Sequence, residues 1–267
     1  LRRDGYATVA IHGNSGTFWN RSKAFKAIGF EKFITAAQFP ANATRDGWFF
    51  SDAAMTDQII GQLEQAKKPA LIFAISIEGH GPYLQVPVDD KARRDAIPAP
   101  PGLVGKPLQA YRNYMYHIED ADQQLGRLWG YLAKRGRPYV LAFYGDHLPP
   151  LQRVYSVASF DNGKTGPEQS VPWFIVGSDV QPRRQHIKAW MMGSEVLRAA
   201  GLAQTPYYLL TAKAERALDE NPADARREDI LQGVYSLGRL RLRGELANGL
   251  KQVQKNQGGS VAAARSQ

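Results

Sequence analysis

Short apolar runs separated by stretches of helical periodicity dominate this chain and limit the folds open to it. Residues 70–77 read ALIFAISI and residues 139–144 read YVLAFY, with hardly a polar side chain among them. Strands of this kind are buried on both faces, as in a parallel sheet covered by helices on each side. Helical patterns lie between them, over residues 56–66 and 108–134. The alternation predicts an α/β fold with a mostly parallel sheet.

Further elements extend this pattern in both directions. A strand is predicted over residues 6–12 and another over residues 171–176, while a helix over residues 22–28 would end at Gly29. Ser51 and Asp52 are plausible caps for the helix that follows them. Proline and charged residues are frequent between Val86 and Pro107, which predicts an exposed loop.

Composition narrows the classes of function. The 267 residues are 43% hydrophobic, enough for a sizeable core, and the absence of cysteine excludes disulfides, cysteine-bound zinc and a cysteine nucleophile. The sequence contains no run of 18 apolar residues, so it predicts no membrane helix. The net charge of +9 suits a phosphorylated substrate or an anionic lipid. We expect no nucleic-acid partner, because no aromatic stacking platform accompanies the basic residues.

Polar motifs follow three of the predicted strands. His12 ends the first strand, His80 lies in the sequence EGHGPY after the second, and Asp146 and His147 follow the third within GDH. Ligands of open α/β sheets bind beyond the carboxyl ends of the strands. Since three of the five histidines occupy this position, the sequence predicts a functional site there.

Each motif has a chemical and a plain structural interpretation. Asp146 and His147 suit a divalent transition metal such as Mn²⁺ or Zn²⁺, but a capped turn with an exposed histidine has the same sequence. His80 would hydrogen-bond a phosphoryl oxygen or a leaving group, or be an ordinary loop histidine.

The stretch HGNSGTFWNR after the first strand is equally open to two interpretations. Arg21 would supply a two-pronged hydrogen-bond donor for phosphate, with Phe18 and Trp19 as walls that exclude water. Alternatively, both aromatic residues are core anchors and the arginine is a surface residue.

Taken together and in order, these motifs resemble the extracellular catalytic domain of the lipoteichoic acid synthase family, which also includes phosphoglycerol transferases acting on osmoregulated periplasmic glucans. The resemblance spans residues 5–177. It is carried by HGN at residues 12–14 through FWNR at residues 18–21, and then by HGPY, GDH and PWFI at residues 80–83, 145–147 and 172–175.

The resemblance implies an alkaline-phosphatase-like α/β/α sandwich, truncated at its N-terminus. Asp146 and His147 would be two ligands of a single catalytic Mn²⁺. The glycerol-phosphate group would be contacted by His12, Phe18, Trp19, Arg21 and His80.

The implied reaction transfers phosphoglycerol from a phosphatidylglycerol-type lipid headgroup to a glycan or glycerol-phosphate acceptor, through a covalent intermediate on a threonine. It would take place at the periplasmic or extracellular face of the cytoplasmic membrane, where N-terminal membrane helices hold the family's members.

One departure from the family is marked. Its threonine nucleophile and glutamate metal ligand lie upstream of the strand at residues 6–12, which begins close to Leu1. We therefore expect the chain alone to bind Mn²⁺ weakly and to be inactive. The expected parts are a partial sulfatase-like catalytic domain over residues 1–211, a basic helical extension over residues 212–255 and a disordered tail over residues 256–267.

Two other functions stay open at this point. One is a sulfatase or phosphodiesterase on the same fold, although no cysteine or serine motif typical of sulfatases is found. The other is a non-catalytic module that binds glycerol-phosphate or anionic envelope polymers.

Overall fold

The computed structural model describes residues 1–181, 186–220, 226–243 and 245. The chain divides into two compact units, Leu1–Arg137 with Tyr144–Trp173, and Pro138–Phe143 with Phe174–Gln267. The strands are β1 (Ala7–His12), β2 (Lys32–Ile34), β3 (Arg45–Asp46), β4 (Phe49–Phe50), β5 (Ala70–Ile75), β6 (Val140–Tyr144) and β7 (Trp173–Gly177). The helices are α1 (Arg21–Ile28), α2 (Asp52–Gln65), α3 (Lys91–Ala96), α4 (Gly105–Lys134), α5 (Gln152–Tyr155), α6 (Met192–Ala199), α7 (Pro206–Glu220) and α8 (Arg227–Leu242).

A parallel sheet forms the centre of the first unit. Its strands lie in the order β2–β1–β5, and both pairings are parallel. His12 stands opposite Ile75 at the carboxyl end of the sheet. A core of buried apolar residues joins the sheet to α2; its members include Val9, Ile11, Ile34, Phe50 and Met55. The predicted α/β class with a parallel sheet is confirmed.

The other strands pair in antiparallel fashion. β3 and β4 form a short hairpin, and β6 pairs with β7. The amide of Gly145 donates to the carbonyl of Pro172, and that of Ser178 donates to Tyr139. The first bond joins the end of β6 to the start of β7, and the second joins the end of β7 to the start of β6. The two strands therefore run in opposite directions. The strands predicted over residues 139–144 and 171–176 are confirmed to within two residues.

Helix ends follow the predicted capping chemistry. The hydroxyl of Ser51 accepts a 3.1 Å hydrogen bond from the amide of Ala54 at the start of α2. Gly29 ends α1 with φ of 103°, a conformation that glycine adopts without strain. Among the helices that the structure describes, none is long and apolar enough to cross a membrane.

The segment predicted as an exposed loop is more ordered than expected. It contains α3, and Val88, Ile97 and Leu103 within it are 4–6% exposed. The prediction of an exposed loop was therefore wrong for these residues. Single apolar residues among prolines and charges show no periodicity, so only their packing against α4 reveals their burial.

The C-terminal part is helical where it is described, in α7 and α8. The domain boundary placed after residue 211 stays a prediction. The disordered tail predicted over residues 256–267 lies outside the described residues.

Candidate active site

His12 occupies the end of β1 with both ring nitrogens engaged. Nδ1 lies 3.0 Å from the carbonyl oxygen of Ile75, and Nε2 lies 3.0 Å from Nη1 of Arg21. A carbonyl only accepts and a guanidinium only donates, so the ring must be neutral with its proton on Nδ1. The side chain is 1% exposed, and burial, together with the charge of Arg21, lowers its pKa below the usual value.

Arg21 begins α1 and is held by this histidine. The bond to His12 is the only hydrogen bond that its guanidinium makes within the described part of the chain. Its carbon Cζ also lies 5.7 Å from the ring centre of Phe18. These contacts fix the orientation of the guanidinium and leave further N–H donors for an anion, which is the arrangement that binds phosphate in bidentate fashion.

Phe18 and Trp19 project from the turn that leads into α1. They are 47% and 78% exposed, and their rings meet edge to face at 5.8 Å. Trp19 has φ of 54°, a left-handed conformation that is strained for a bulky residue. The alternative that both are core anchors is therefore wrong. Strain that turns aromatic rings outward is typical of functional surfaces.

His80 follows β5 and is exposed. When His80 is protonated, its charge contributes to lowering the pKa of His12. Nδ1 of His80 lies 2.7 Å from the carbonyl oxygen of Gly81 and so carries a proton, which leaves the lone pair of the neutral ring on Nε2. Nε2 of His80 is therefore free to accept a hydrogen bond or a proton.

Asp146 and His147 form the exposed tip of the loop after β6. Oδ2 of Asp146 lies 3.7 Å from Nε2 of His147, and the two side chains are 78% and 65% exposed. Nδ1 of His147 donates to the carbonyl of Leu148 at 2.9 Å. A histidine ligand commonly holds a backbone carbonyl through its other nitrogen in this way. The pair therefore fits a divalent metal, with one carboxylate oxygen and one imidazole lone pair side by side.

Glycine is required at position 145 by packing rather than by its dihedral angles. A Cβ atom there would lie 3.0 Å from Cβ of Val171, closer than side chains normally approach. The missing side chain lets the start of this loop lie against the segment before β7.

The structure joins the predicted residues into two groups. His12 contacts Arg21, and Arg21 contacts Phe18, beyond the end of β1, while His80 follows β5, the strand that pairs with β1. Burial first, and then the neighbouring Tyr114, Tyr155 and Asp146, raise the pKa of Tyr83, so the Asp146 carboxylate acts electrostatically on that tyrosine. Within the described residues no hydrogen bond joins Arg21 or His80 to Asp146 or His147.

One residue within a quoted motif had no predicted role. Glu78 is 2% exposed and contacts His117, which lies 39 residues away in the chain. A carboxylate at the end of the apolar run over residues 70–77 is the signal that could have identified it.

Comparison with known proteins agrees with this architecture. The chain matches a "Putative cyclic beta-1,2-glucan modification protein" of Rhizobium meliloti at 32% identity, over 78% of this chain and 34% of that protein. Lipoteichoic acid synthase 2 of Bacillus subtilis matches at 25% identity, over 70% of this chain and 29% of that protein. The chain thus spans about a third of the length of these curated relatives.

Among solved structures, the Streptococcus pyogenes phosphoglycerol transferase GacH in complex with sn-glycerol-1-phosphate superposes with a TM-score of 0.70. The identity is 18%, and the match covers 86% of this chain and 59% of that one. The fold is accordingly that of the alkaline phosphatase superfamily. The sulfatase family model matches residues 1–201, so the chain belongs to the sulfatase family, alongside the lipoteichoic acid synthases.

Proposed function

We propose that this chain supplies the headgroup-binding loops and two metal ligands of a metal-dependent phosphoglycerol transferase. The observation that carries the proposal is the Arg21 guanidinium, which His12 holds on one side while its other donors stay available. Next to it stand two exposed aromatic side chains, Phe18 and Trp19. A fixed cationic fork beside apolar walls suits a phosphate ester with a small organic group.

Each residue then has a distinct role. Arg21 binds the phosphate oxygens, and His12 positions Arg21 without needing to contact substrate. Phe18 and Trp19 lie against the glycerol part and exclude water from it. His80 offers Nε2 to a hydroxyl or leaving oxygen as a general base or acid.

Asp146 and His147 are the side chains that would hold the metal, Mn²⁺ in this proposal. A bound divalent ion supplies positive charge where negative charge develops during phosphoryl transfer. Two protein ligands are fewer than the three that catalytic sites usually keep. We therefore propose that Asp146 and His147 alone bind Mn²⁺ weakly, and that the 267-residue chain by itself does not turn over substrate.

The proposed donor is a phosphatidylglycerol-type lipid headgroup, and the proposed acceptor is a glycan or glycerol phosphate. The names of the curated relatives support this choice, since they concern a glucan-modifying protein and a lipoteichoic acid synthase. The net charge of +9 favours approach to an anionic surface. The proposed location is the periplasmic or extracellular face of the cytoplasmic membrane.

Binding of sn-glycerol-1-phosphate to the 267-residue chain, measured by calorimetry with Mn²⁺ present, tests the proposal. Arg21→Lys keeps the charge but loses the planar fork, and we expect affinity to fall about 10-fold or more, since hydrogen bonds to charged groups contribute about 1.5–3 kcal/mol. Lys23→Gln removes a cation from an exposed position of the same helix and serves as the matched control. Equal affinity of Arg21→Lys and the unaltered chain would contradict the assignment.

A sulfatase or phosphodiesterase is the second candidate, because the matching family model is that of the sulfatases. The same titration distinguishes the two. A sulfatase site would bind an aryl sulfate more tightly than sn-glycerol-1-phosphate, whereas the proposed transferase site has the opposite preference.

A further inference from the structure

A second group of side chains that could hold a metal ion includes Glu78, which lies two residues before His80. Asp46, Glu78, His117 and Asp120 each offer one ligand atom, and these atoms all lie within 4.8 Å of one another. We refer to these four residues as the buried acidic cluster. The first three are 8%, 2% and 3% exposed, so water compensates little of their charge.

Charge within the buried acidic cluster does not balance. Arg93 contacts it and donates one 2.8 Å hydrogen bond to each oxygen of Asp120. Three carboxylates against this one guanidinium leave two negative charges, and protonation of His117 would still leave one. Buried charge of this kind normally requires a bound cation or a proton.

Neighbouring donors hold the ligand side chains in place. The hydroxyl of Tyr116 donates to Oδ2 of Asp46 at 2.6 Å, and the amide of Asp52 donates to Oε2 of Glu78 at 2.5 Å. Nδ1 of His117 lies 3.1 Å from Oε1 of Glu78. A histidine whose Nδ1 proton is held by a carboxylate directs the lone pair of Nε2 at a metal, as is common around metal sites. Carboxylate oxygens have lone pairs to spare for both a donor and an ion.

Asp52 gives an independent indication of a missing ligand. It is 6% exposed, and its Oδ1 is buried without a hydrogen-bond partner among the described residues. Its backbone amide donates to Oε2 of Glu78, which places Asp52 next to the buried acidic cluster. A buried carboxylate oxygen without a partner is uncommon in folded proteins, and a cation bound at the neighbouring cluster would explain it.

We propose that the buried acidic cluster binds one divalent cation, next to the unpartnered carboxylate oxygen of Asp52. Three carboxylates and one imidazole suit Mn²⁺ or Zn²⁺ better than Ca²⁺ or Mg²⁺, which are usually bound by oxygen alone. The ion would tie β3, the end of β5 and α4 together, and so steady the backbone that leads to His80. This site shares no ligand with Asp146 and His147, and it does not depend on the proposed transferase activity.

Mn²⁺ titration of the chelator-treated 267-residue chain, followed by electron paramagnetic resonance, tests this site. Asp146→Asn with His147→Gln serves as the background, because it removes the exposed pair. In this background we expect one Mn²⁺ per chain, with a nitrogen coupling from one histidine. Glu78→Gln should weaken binding at least 10-fold, and His117→Gln should abolish the nitrogen coupling. Asp122→Asn, an exposed position on the same helix α4, is the matched control and should bind like the background.

Thermal unfolding separates loss of the ion from loss of the fold. Without metal, Glu78→Gln removes one uncompensated charge, so it should stay folded and lose the Mn²⁺-induced rise in Tm. If it fails to fold, Asp120→Asn at the less buried rim of the cluster carries the same test. The proposal is overturned if the background chain takes up no Mn²⁺, or if folded Glu78→Gln or Asp120→Asn binds it as tightly as Asp122→Asn does.

Discussion

At the scale of single residues, one neutral histidine determines how an arginine faces the solvent. His12 can accept from Arg21 only while its Nε2 is unprotonated, and the carbonyl of Ile75 holds the Nδ1 proton. Protonation of the buried ring would place two cations 3.0 Å apart, which is costly in a site closed to water. The same contact therefore links the stability of the fold to the geometry of the candidate site.

This arrangement makes stability depend on pH. The pKa of His12 is lowered in the folded chain by burial and by Arg21. Below about pH 6.5 the unfolded chain therefore takes up a proton that the folded chain resists. His12 contributes its full share of stability above that pH, and the share is lost as the pH falls toward its folded-state pKa.

We expect His12→Asn to flatten this dependence between about pH 7.5 and about pH 5, although it lowers stability overall. Denaturant midpoints measured across this range provide the check. His186→Asn, which alters an exposed histidine, should keep the original slope. If His12→Asn keeps the slope of the unaltered chain, the pKa of His12 is the same in the folded and unfolded states, which contradicts this expectation.

At the scale of elements, the loop after β6 depends on one close backbone approach. Gly145 lies so close to Val171 that a methyl group at position 145 would press on the Cβ atom of Val171. The loop leads directly to Asp146 and His147, so displacement here would reach the proposed metal ligands.

Gly145→Ala should therefore lower the free energy of unfolding by about 1–3 kcal/mol, the usual range for overpacking. Gly126→Ala in α4, where a Cβ atom meets nothing within 4 Å, should instead raise it by up to about 1 kcal/mol. Urea unfolding of both variants gives the comparison. Equal stability of the two alanine variants would show that Val171 moves aside without cost.

Local chemistry made several elements predictable from sequence. Apolar runs without alternation identified β5 and β6, although both strands are only partly buried among the described residues. Ser51 and Gly29 marked helix ends through their own side-chain and backbone preferences. α3 could not be predicted, because its neighbours Val88 and Ile97 gain their burial only from contact with α4.

The candidate site likewise has residues that the sequence predicted and residues that only the fold brings together. Strand ends predicted where His12, His80 and Asp146 would lie, because the carboxyl edge of a parallel sheet is a property of the fold. The buried acidic cluster brings together residues from Asp46 to Asp120, and no local pattern connects them. The position of Arg21 against His12 likewise required the fold, since the sequence left open whether this arginine lay on the surface.

At the scale of the whole molecule, the loops after β1, β5 and β6 are proposed to act on one ligand. Arg21 would bind the phosphate, and Asp146 with His147 would hold a metal ion that binds the same phosphate. Two groups that bind the same ligand are energetically coupled, whereas groups at separate sites act additively.

A double-mutant cycle of Arg21→Lys and Asp146→Asn tests this claim most directly, with the affinity for sn-glycerol-1-phosphate measured by calorimetry in the presence of Mn²⁺. We expect the double variant to lose less affinity than the sum of the single losses, with a coupling energy above about 0.5 kcal/mol. Losses that add to within about 0.3 kcal/mol, or an affinity that Asp146→Asn leaves unchanged, would contradict it.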